Sequence, residues 1–222
     1  MSSAPKEFAA PAMAARTAAT LFVFVVIFTG LLSTVYKWTR PVIEATAREE
    51  RLRLLNEVLP AAEYDNDPVA EARTLPPTVE LGLKEPSTFY PARRAGQPAA
   101  AIFEAIAPDG YAGRIRLLIA IRADGTVAGV RVTQHKETPG LGDYIEPKKD
   151  RNKARPWITQ FNGLALATTD DKAWRVIKDG GRIDYYAGAT ISPRAIARAV
   201  HKAARWYEAN RQQLFSTDGG KP

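Results

Sequence analysis

Residues 99–135 decide the fold and read AAAIFEAIAPDGYAGRIRLLIAIRADGTVAGVRVTQH. The stretch contains three strand-like runs rich in Ile, Leu, Val and Ala, separated by the turn sequences Pro108-Asp109-Gly110 and Asp124-Gly125. The runs are AAAIFEAIA (99–107), RIRLLIAI (114–121) and TVAGVRVTQH (126–135). Because short turns join consecutive runs, the sequence predicts an antiparallel meander.

The middle run indicates which face of the meander is buried. Four apolar residues occupy alternate positions along it: Ile115, Leu117, Ile119 and Ile121. Since successive side chains of a strand point to opposite faces, these four are predicted to face the core, while Arg116 and Arg122 point away from it.

The carboxy-terminal stretch Pro193–Gln213 is amphipathic and is predicted to be a helix. Its apolar side carries Ile196, Ala199, Val200 and Ala203. Ser192 and Pro193 are suited to be the N-cap and the first helical residue. A helix packed on an antiparallel sheet gives the α+β class.

Far upstream, residues 17–36 read TAATLFVFVVIFTGLLSTVY and carry no charge. As a helix they would reach roughly 30 Å, the thickness of a bilayer's hydrocarbon core. They are predicted to be a transmembrane helix after a short cytoplasmic tail (1–16), with Tyr36 and Trp38 at the headgroup layer. A cleaved signal peptide is the alternative, but the stretch is longer than a usual h-region and no small-x-small cleavage site is obvious.

The charges that flank this span bear on its orientation. Two cations precede it and four follow it closely (Lys6 and Arg16, then Lys37, Arg40, Arg48 and Arg51), a count that weakly favours a cytoplasmic carboxy-terminal domain. Long domains cross a membrane regardless of such charges, and the absence of Cys suits an oxidising compartment. We expect the domain to lie outside the cytoplasm.

Between the span and the meander, two segments differ in character. Residues 37–60 are predicted to be a helical stalk that continues or restarts the membrane helix, with Leu52, Leu55 and Leu59 on one face. Residues 61–98 are rich in proline, which predicts an extended, loop-rich segment that wraps the domain and supplies no central strand. The domain proper is expected over 99–215, before a flexible tail (216–222).

Composition excludes several functions. The chain has 222 residues and no Cys, so disulfides, thiolate catalysis and Cys-ligated iron–sulfur clusters are ruled out. The formal net charge of +7 is spread along the chain without a dense basic run or zinc-ligand spacing, so no nucleic-acid partner and no metal site are predicted. Any redox chemistry must come from a bound cofactor.

Two loops carry the strongest signs of a binding site. Residues 184–193 lead through Gly188 and Ala189 directly into a helix N-terminus, where free N–H groups and the helix dipole favour a phosphate. Residues 135–142 follow a strand and combine polar groups, Leu141 and two glycines, a composition that can place N–H groups and an apolar surface against a ring system. Alternatively, the first is an ordinary loop-to-helix junction and the second a structural bend.

Taken together, several ordered segments resemble the flavin-binding domain shared by the G subunit of the Rnf electron-transport complex and the C subunit of the sodium-translocating NADH:quinone oxidoreductase. The resemblance is to the Rnf G subunit family in particular. It covers the amino-terminal span and the segments 110–113, 124–130, 135–142, 157–163 and 179–194.

This resemblance implies an FMN joined through its phosphate to the hydroxyl of Thr190 in the motif Gly188-Ala189-Thr190, by a separate flavin transferase. Ala187 stands where Ser or Thr is often found in the family, which is a mild departure. Glu137, Thr138 and Leu141 would line the isoalloxazine ring. Thr190 would be an attachment point, so no catalytic base is expected.

For the whole chain, the resemblance implies a membrane-anchored flavoprotein electron carrier on the periplasmic side of a bacterial inner membrane. Its partners would be membrane lipid and the other subunits of the Rnf complex, which couples electron transfer between ferredoxin and NAD to sodium or proton movement. Three alternatives stay open: the C subunit of the quinone reductase, a cofactor-free membrane-tethered periplasmic binding module, and a stand-alone membrane flavin reductase.

Other polar and aromatic residues have plainer interpretations. His135 either hydrogen-bonds the flavin or caps its own loop, and His201 is predicted to be solvated. Trp157 and Trp174 are expected to fill the core. The run Lys148-Lys149-Asp150 is expected to be a solvated group of charges.

Overall fold

A computed structural model describes residues 10–215 as two compact units that divide between Glu50 and Arg51. The first nine residues of the expected cytoplasmic tail, and the expected flexible tail at 216–222, lie outside the described residues. Helix α1 (Ala10–Val58) begins in the first unit and includes Pro41. Residues 37–58 of the expected stalk therefore belong to the same helix as the candidate membrane span.

Helix α1 contains one candidate membrane span by length and composition. Its most apolar 18-residue window has a mean hydropathy of 2.3 and none of it is buried in the structure. Large apolar side chains such as Phe22 and Leu32 are 69% and 68% exposed. Because so much contiguous apolar surface is unfavourable in water, these side chains suit a lipid environment.

The second unit contains five strands in one antiparallel sheet, paired in chain order. The strands are β1 (Arg73–Leu75), β2 (Ser87–Arg94), β3 (Gln97–Gly110), β4 (Gly113–Arg122) and β5 (Val127–Gln134). Helix α2 (Ile191–Phe215) follows, after a connection with little regular structure. Short 3-10 turns occur at Ala61–Glu63, Val79–Leu81, Asp143–Ile145, Trp157–Phe161, Asp171–Trp174 and Ile177–Asp179. The α+β class and the central meander are confirmed.

One turn lies further along the chain than predicted. Residues 108–110 belong to the end of β3, where the register shifts between Ala107 and Gly110, and Gly110 pairs with Gly113. The chain therefore reverses at Tyr111 and Ala112. The bulge explains the difference, because it lets Pro108 enter a strand whose regular ladder has already been interrupted.

The prediction that residues 61–98 supply no central strand is wrong. Strand β2 lies inside the sheet and pairs Pro91 with Ala101 of β3. Strand β1 pairs with β2 only as far as Phe89. Beside Pro91, the side chain of Asn66 takes the place of β1: its Nδ2 donates to the carbonyl of Pro91 (2.9 Å), and its Oδ1 accepts the N–H of Arg93 (2.8 Å). Pro91 thus occupies a locally unpaired strand edge, where its missing N–H costs no ladder bond.

The sheet is covered on both faces. On one face, the four alternating residues of β4 are fully buried, as predicted, and pack in one cluster with Ile196, Val200 and Tyr207 of α2. On the other face, small residues of four segments (Ala92, Ala100, Ala120 and Ala128) meet Leu55, Val58 and Leu59. The domain core therefore begins with the last turns of α1 rather than near residue 99.

Gly129 permits this close packing, because a Cβ added there would overlap the backbone of Val58. We expect Gly129→Ala to lower the free energy of unfolding by about 1 to 3 kcal/mol, the usual cost of overpacking. Chemical denaturation of the detergent-solubilised chain measures this. Thr133→Ala, at an exposed position of the same strand, is the control and should stay within about 0.5 kcal/mol. Equal losses in the two variants would contradict the packing argument.

Candidate functional site

The site is built at the N-terminus of α2, which begins two residues earlier than predicted. The carbonyl of Thr190 accepts the N–H of Arg194 (3.2 Å), so Thr190 is the N-cap. Ser192 is not the N-cap, because its hydroxyl donates to Oε2 of Glu137 (2.5 Å) instead. Pro193 lies in the first turn, where its missing N–H leaves no intrahelical bond unmade.

Three backbone N–H groups at this helix end, those of Thr190, Ile191 and Ser192, have no hydrogen-bond acceptor within residues 10–215. The hydroxyl of Thr190 also makes no hydrogen bond to the described part of the chain, and its side chain is half-buried. Together with the dipole of a 25-residue helix, these groups create a position that favours a negative charge beside Thr190.

The turn before Thr190 is held by a buried tyrosine. The hydroxyl of Tyr144 donates to the carbonyl of Ala189 (3.0 Å) and accepts the N–H of Tyr186 (3.2 Å). Burial raises the pKa of Tyr144 to about 12, so the hydroxyl keeps its proton at neutral pH and remains a donor. Gly188, at φ +87°, supplies the left-handed conformation that this turn requires.

We expect Tyr144→Phe to leave the carbonyl of Ala189 and the N–H of Tyr186 without this partner. The loss should reduce the free energy of unfolding by about 1 to 3 kcal/mol. Chemical denaturation provides the measurement. Tyr111→Phe is the matched control, because Tyr111 is 67% exposed and makes no hydrogen bond to the described residues through its hydroxyl. A Tyr144→Phe protein as stable as this control would show that the turn does not depend on the hydroxyl.

The loop at 135–142 is ordered by its own residues. Nδ1 of His135 accepts the N–H of Glu137 (3.0 Å), while Nε2 lies 2.5 Å from Oε1 of Glu146. The N–H of Gly142 closes the loop onto the carbonyl of Thr138 (2.9 Å). Of the two interpretations of His135, the structure therefore favours the one in which it organises its own loop.

Glu137 forms the floor of the site and joins three segments. Its side chain is 4% exposed; Oε2 accepts the hydroxyl of Ser192, and Oε1 accepts the N–H of Ala112 (3.2 Å). A Cβ at Gly110 would lie 2.8 Å from Oε1, and one at Gly142 would lie 3.1 Å from Oε2. Glycine at both positions therefore leaves room for the buried carboxylate.

The structure brings all six predicted site residues to one pocket of about 410 Å³, measured with its open mouth. These are Glu137, Thr138, Leu141, Gly188, Ala189 and Thr190. Sequence reasoning missed four further lining residues: Tyr111, Gly142, Ile191 and Ser192. Of these four, Tyr111 could have been predicted from the sequence, because an aromatic residue between two glycines, here in the turn Gly110–Gly113, suits a contact with a ligand.

Two polar residues outside the pocket correct predictions made from the sequence. Asp150 is fully buried, so the idea of a solvated charge run at 148–150 is wrong for this residue. His201 is also not a solvated residue: its ring stacks on Trp174 with centroids 5.1 Å apart, and burial lowers its pKa. Trp157 and Trp174 are 3% and 1% exposed and fill the core as expected. Within residues 10–215, no group of His, Asp and Glu is arranged to hold a metal ion.

Comparison with known proteins places these features in a family. The FMN-binding domain matches residues 110–205, and the RnfG N-terminal region matches residues 9–58. The G subunit of the ion-translocating oxidoreductase complex of Pseudomonas aeruginosa is 46% identical to this chain, over 91% of this chain and 92% of the relative. This chain belongs to the G-subunit family. The corresponding G subunits of Vibrio cholerae (43% identical over 88% of this chain and 91% of the relative) and Pseudoalteromonas atlantica (40% over 91% and 92%) are similar as well.

The two matched regions correspond to the two parts of this G-subunit family member described above. The RnfG N-terminal region contains the candidate membrane span of α1. All ten pocket residues fall within the match to the FMN-binding domain. The pocket at the N-terminus of α2 is therefore the candidate site for that domain's ligand.

Proposed function

We propose that this chain is the flavin-carrying G subunit of an ion-translocating oxidoreductase complex, with FMN attached through a phosphoester to Thr190. One observation carries the proposal. The hydroxyl of Thr190 has no hydrogen-bond partner among the described residues, and it sits at the N-cap of a long helix, in a pocket inside the match to the FMN-binding domain.

The residues of the pocket fit both ends of an FMN molecule. The free N–H groups of the first turn of α2 and its dipole suit the phosphate. Both carboxylate oxygens of Glu137 are already engaged, by the hydroxyl of Ser192 and the N–H of Ala112, so Glu137 does not occupy the free N–H groups of the first turn. Leu141 and Tyr111, 48% and 67% exposed, offer apolar and aromatic surface to a ring system.

Thr190 acts as the point of attachment. Its Oγ would attack the FMN phosphorus of an activated donor, a dinucleotide in which the FMN phosphate is joined to a second nucleotide. The phosphoanhydride bond of the donor breaks, the nucleotide leaves with the hydroxyl proton, and the chain becomes heavier by FMN less one water. A separate flavin transferase would form this bond, and the exposed residues Ala187 and Gly188 leave the turn open to that enzyme. Thr190 needs no neighbouring base during turnover, because it carries the cofactor and does not attack a substrate.

When bound, FMN supplies the electron-transfer chemistry, and the chain supplies binding and orientation. As part of the Rnf complex, the chain would relay electrons while the complex couples ferredoxin and NAD to the movement of sodium or protons. Lipid around α1 and the other subunits would be its partners. The match to the RnfG N-terminal region supports the G subunit over the C subunit of the quinone reductase.

Two simple observations test this function against the remaining alternatives. Fluorescence of the chain that persists on a denaturing gel is expected, and it would exclude a cofactor-free binding module. A stand-alone flavin reductase would oxidise NADH without other subunits, whereas we expect the isolated chain to be inactive with NADH. Rapid NADH oxidation by the isolated chain would contradict the assignment as a relay subunit.

Leu141 is expected to influence the flavin without affecting its attachment. Leu141→Ala removes apolar cover from the ring position, and because water favours the negatively charged reduced form, the reduction potential should rise. Since Leu141 is already 48% exposed, the rise should stay below about 60 mV, which corresponds to about 1.4 kcal/mol for one electron. A redox titration measures it, with Val79→Ala as an exposed control outside the pocket. An unchanged titration curve would show that the loop at 135–142 is only a structural bend and does not belong to the flavin site.

A further inference from the structure

The loop at residues 148–155, here called the basic loop, presents only positive charge to its surroundings. Its five cations, Lys148, Lys149, Arg151, Lys153 and Arg155, are all exposed. Its single carboxylate, Asp150, is 0% exposed. The surface of the loop therefore carries unbalanced positive charge, although the sequence contains an acidic residue there.

Most cations of the basic loop lack the carboxylate partners that many arginines of the domain have. Several arginines elsewhere pair with carboxylates: Arg93 with Glu71, Arg122 with Glu63, Arg131 with Glu57, Arg194 with Asp179, Arg198 with Asp109 and Arg205 with Asp171. Within the loop, Lys149 lies 3.4 Å from Oε1 of Glu146, and the other four cations form no ion pair with a carboxylate in residues 10–215. Neighbouring like charges repel, so this cluster is unfavourable in the isolated domain.

Asp150 holds the loop in place despite this repulsion. Its carboxylate accepts the N–H groups of Trp157 and Asn152 and the hydroxyl of Tyr186 (2.7 Å). Asn152 in turn accepts the N–H of Arg155 (3.0 Å). The fold thus uses buried hydrogen bonds to keep the cations together in one ordered surface.

The same hydrogen bonds connect the basic loop to the turn that lines the pocket. Tyr186, bonded to Asp150, accepts the N–H of Ala189 through its carbonyl (3.0 Å), and Ala189 precedes Thr190. The rings of Tyr186 and Tyr144 lie with centroids 4.2 Å apart, and the hydroxyl of Tyr144 holds the same turn. The loop and the attachment residue therefore belong to one hydrogen-bonded unit.

We infer that the basic loop is the docking surface for an acidic face of the protein partner that exchanges electrons with the flavin. This inference rests on the proposed function, because it places the partner next to the cofactor on Thr190. Opposite charges concentrate and orient a partner at such a surface, and the effect weakens as salt screens it. The basic loop thereby directs the partner to the pocket.

The test uses the purified complex that carries the covalent flavin, with NADH as the electron donor and flavin bleaching as the readout. The loop variant replaces Lys148, Arg151, Lys153 and Arg155 by Glu. The control variant makes the same charge change at Lys84, Lys172, Lys178 and Lys202, which are exposed elsewhere in the domain. At low salt, we expect bleaching to be at least about tenfold slower in the loop variant and within about twofold of wild type in the control.

Added salt should slow the wild type and not the loop variant. A loop variant as fast as the control, with its flavin present, would overturn the docking surface while leaving the proposed function intact. A defect found only in vesicles with anionic lipid, and absent in neutral detergent, would assign the loop to lipid and also overturn the inference. If the reversal variant fails to fold, the same four changes to Gln should still slow bleaching about threefold. Wild-type chain without covalent flavin would contradict the proposed function and this inference together.

Discussion

Thr190→Ala is expected to abolish covalent flavin while leaving the chain folded and inserted in the membrane. The variant lacks the only atom of this residue that can bond to phosphorus, so the loss should be complete rather than partial. Its effect on stability should be small, about 1 kcal/mol or less, because the hydroxyl of Thr190 makes no hydrogen bond to the described residues that would be lost. The measurement is flavin fluorescence on a denaturing gel, followed by chemical denaturation of the same preparation.

Two variants serve as controls for this experiment. Thr138→Ala removes a neighbouring hydroxyl from the same pocket and should keep the covalent flavin. Thr190→Ser retains an N-cap hydroxyl and should keep the stability of the wild type, whatever its flavin content. Covalent flavin on the Thr190→Ala protein at the wild-type level would contradict the assignment of the attachment site.

The second large effect concerns the side of the membrane on which the flavin domain lies. We expect a reporter that is active only outside the cytoplasm to work when fused after Pro222, and one that is active only inside to fail. The flanking charges Lys37, Arg40 and Arg48 favour a cytoplasmic location for the segment that follows the span. Long domains are translocated largely regardless of such charges, which is the physical reason for the expected result. The opposite pair of results would show that these charges determine the orientation.

Much of the sheet could be predicted, because alternation is a local property of the sequence. Ile115 and Leu117 are buried on the predicted face, and the amphipathic stretch after Pro193 is part of α2. Strand β2 could not be predicted in the same way. Pro91 is tolerated there only because Asn66, 25 residues earlier in the chain, replaces the neighbouring strand. Long-range compensation of this kind leaves no local pattern.

The site shows the same division between local and long-range information. The glycines stand out in the sequence because a turn before a helix N-terminus needs such residues, and the family resemblance singles out Thr190 beside them. Ser192 is recognisable in the sequence only as an N-cap candidate, because the bond from its hydroxyl to Glu137 joins residues that are 55 positions apart. Asp150 was mistaken for a surface charge for a related reason: its partner Tyr186 lies 36 residues further on. Only the folded chain places these groups together.

The surface charge of the basic loop was likewise hidden in the sequence. A count of charges along 148–155 finds a carboxylate among the cations, which suggests an ordinary solvated segment. Burial of Asp150 removes the negative charge from the surface and leaves the cations exposed. Surface charge therefore depends on which side chains the fold buries, and composition alone does not reveal it.

The most direct test of the central claim is the intact mass of the full chain, purified from membranes of cells that also make the flavin transferase. We expect the mass of the chain plus FMN less one water, and fragmentation should assign the added mass to the peptide that contains Thr190. A chain with the mass of its unmodified sequence, or with the added mass on another peptide, would contradict the claim that Thr190 carries the flavin.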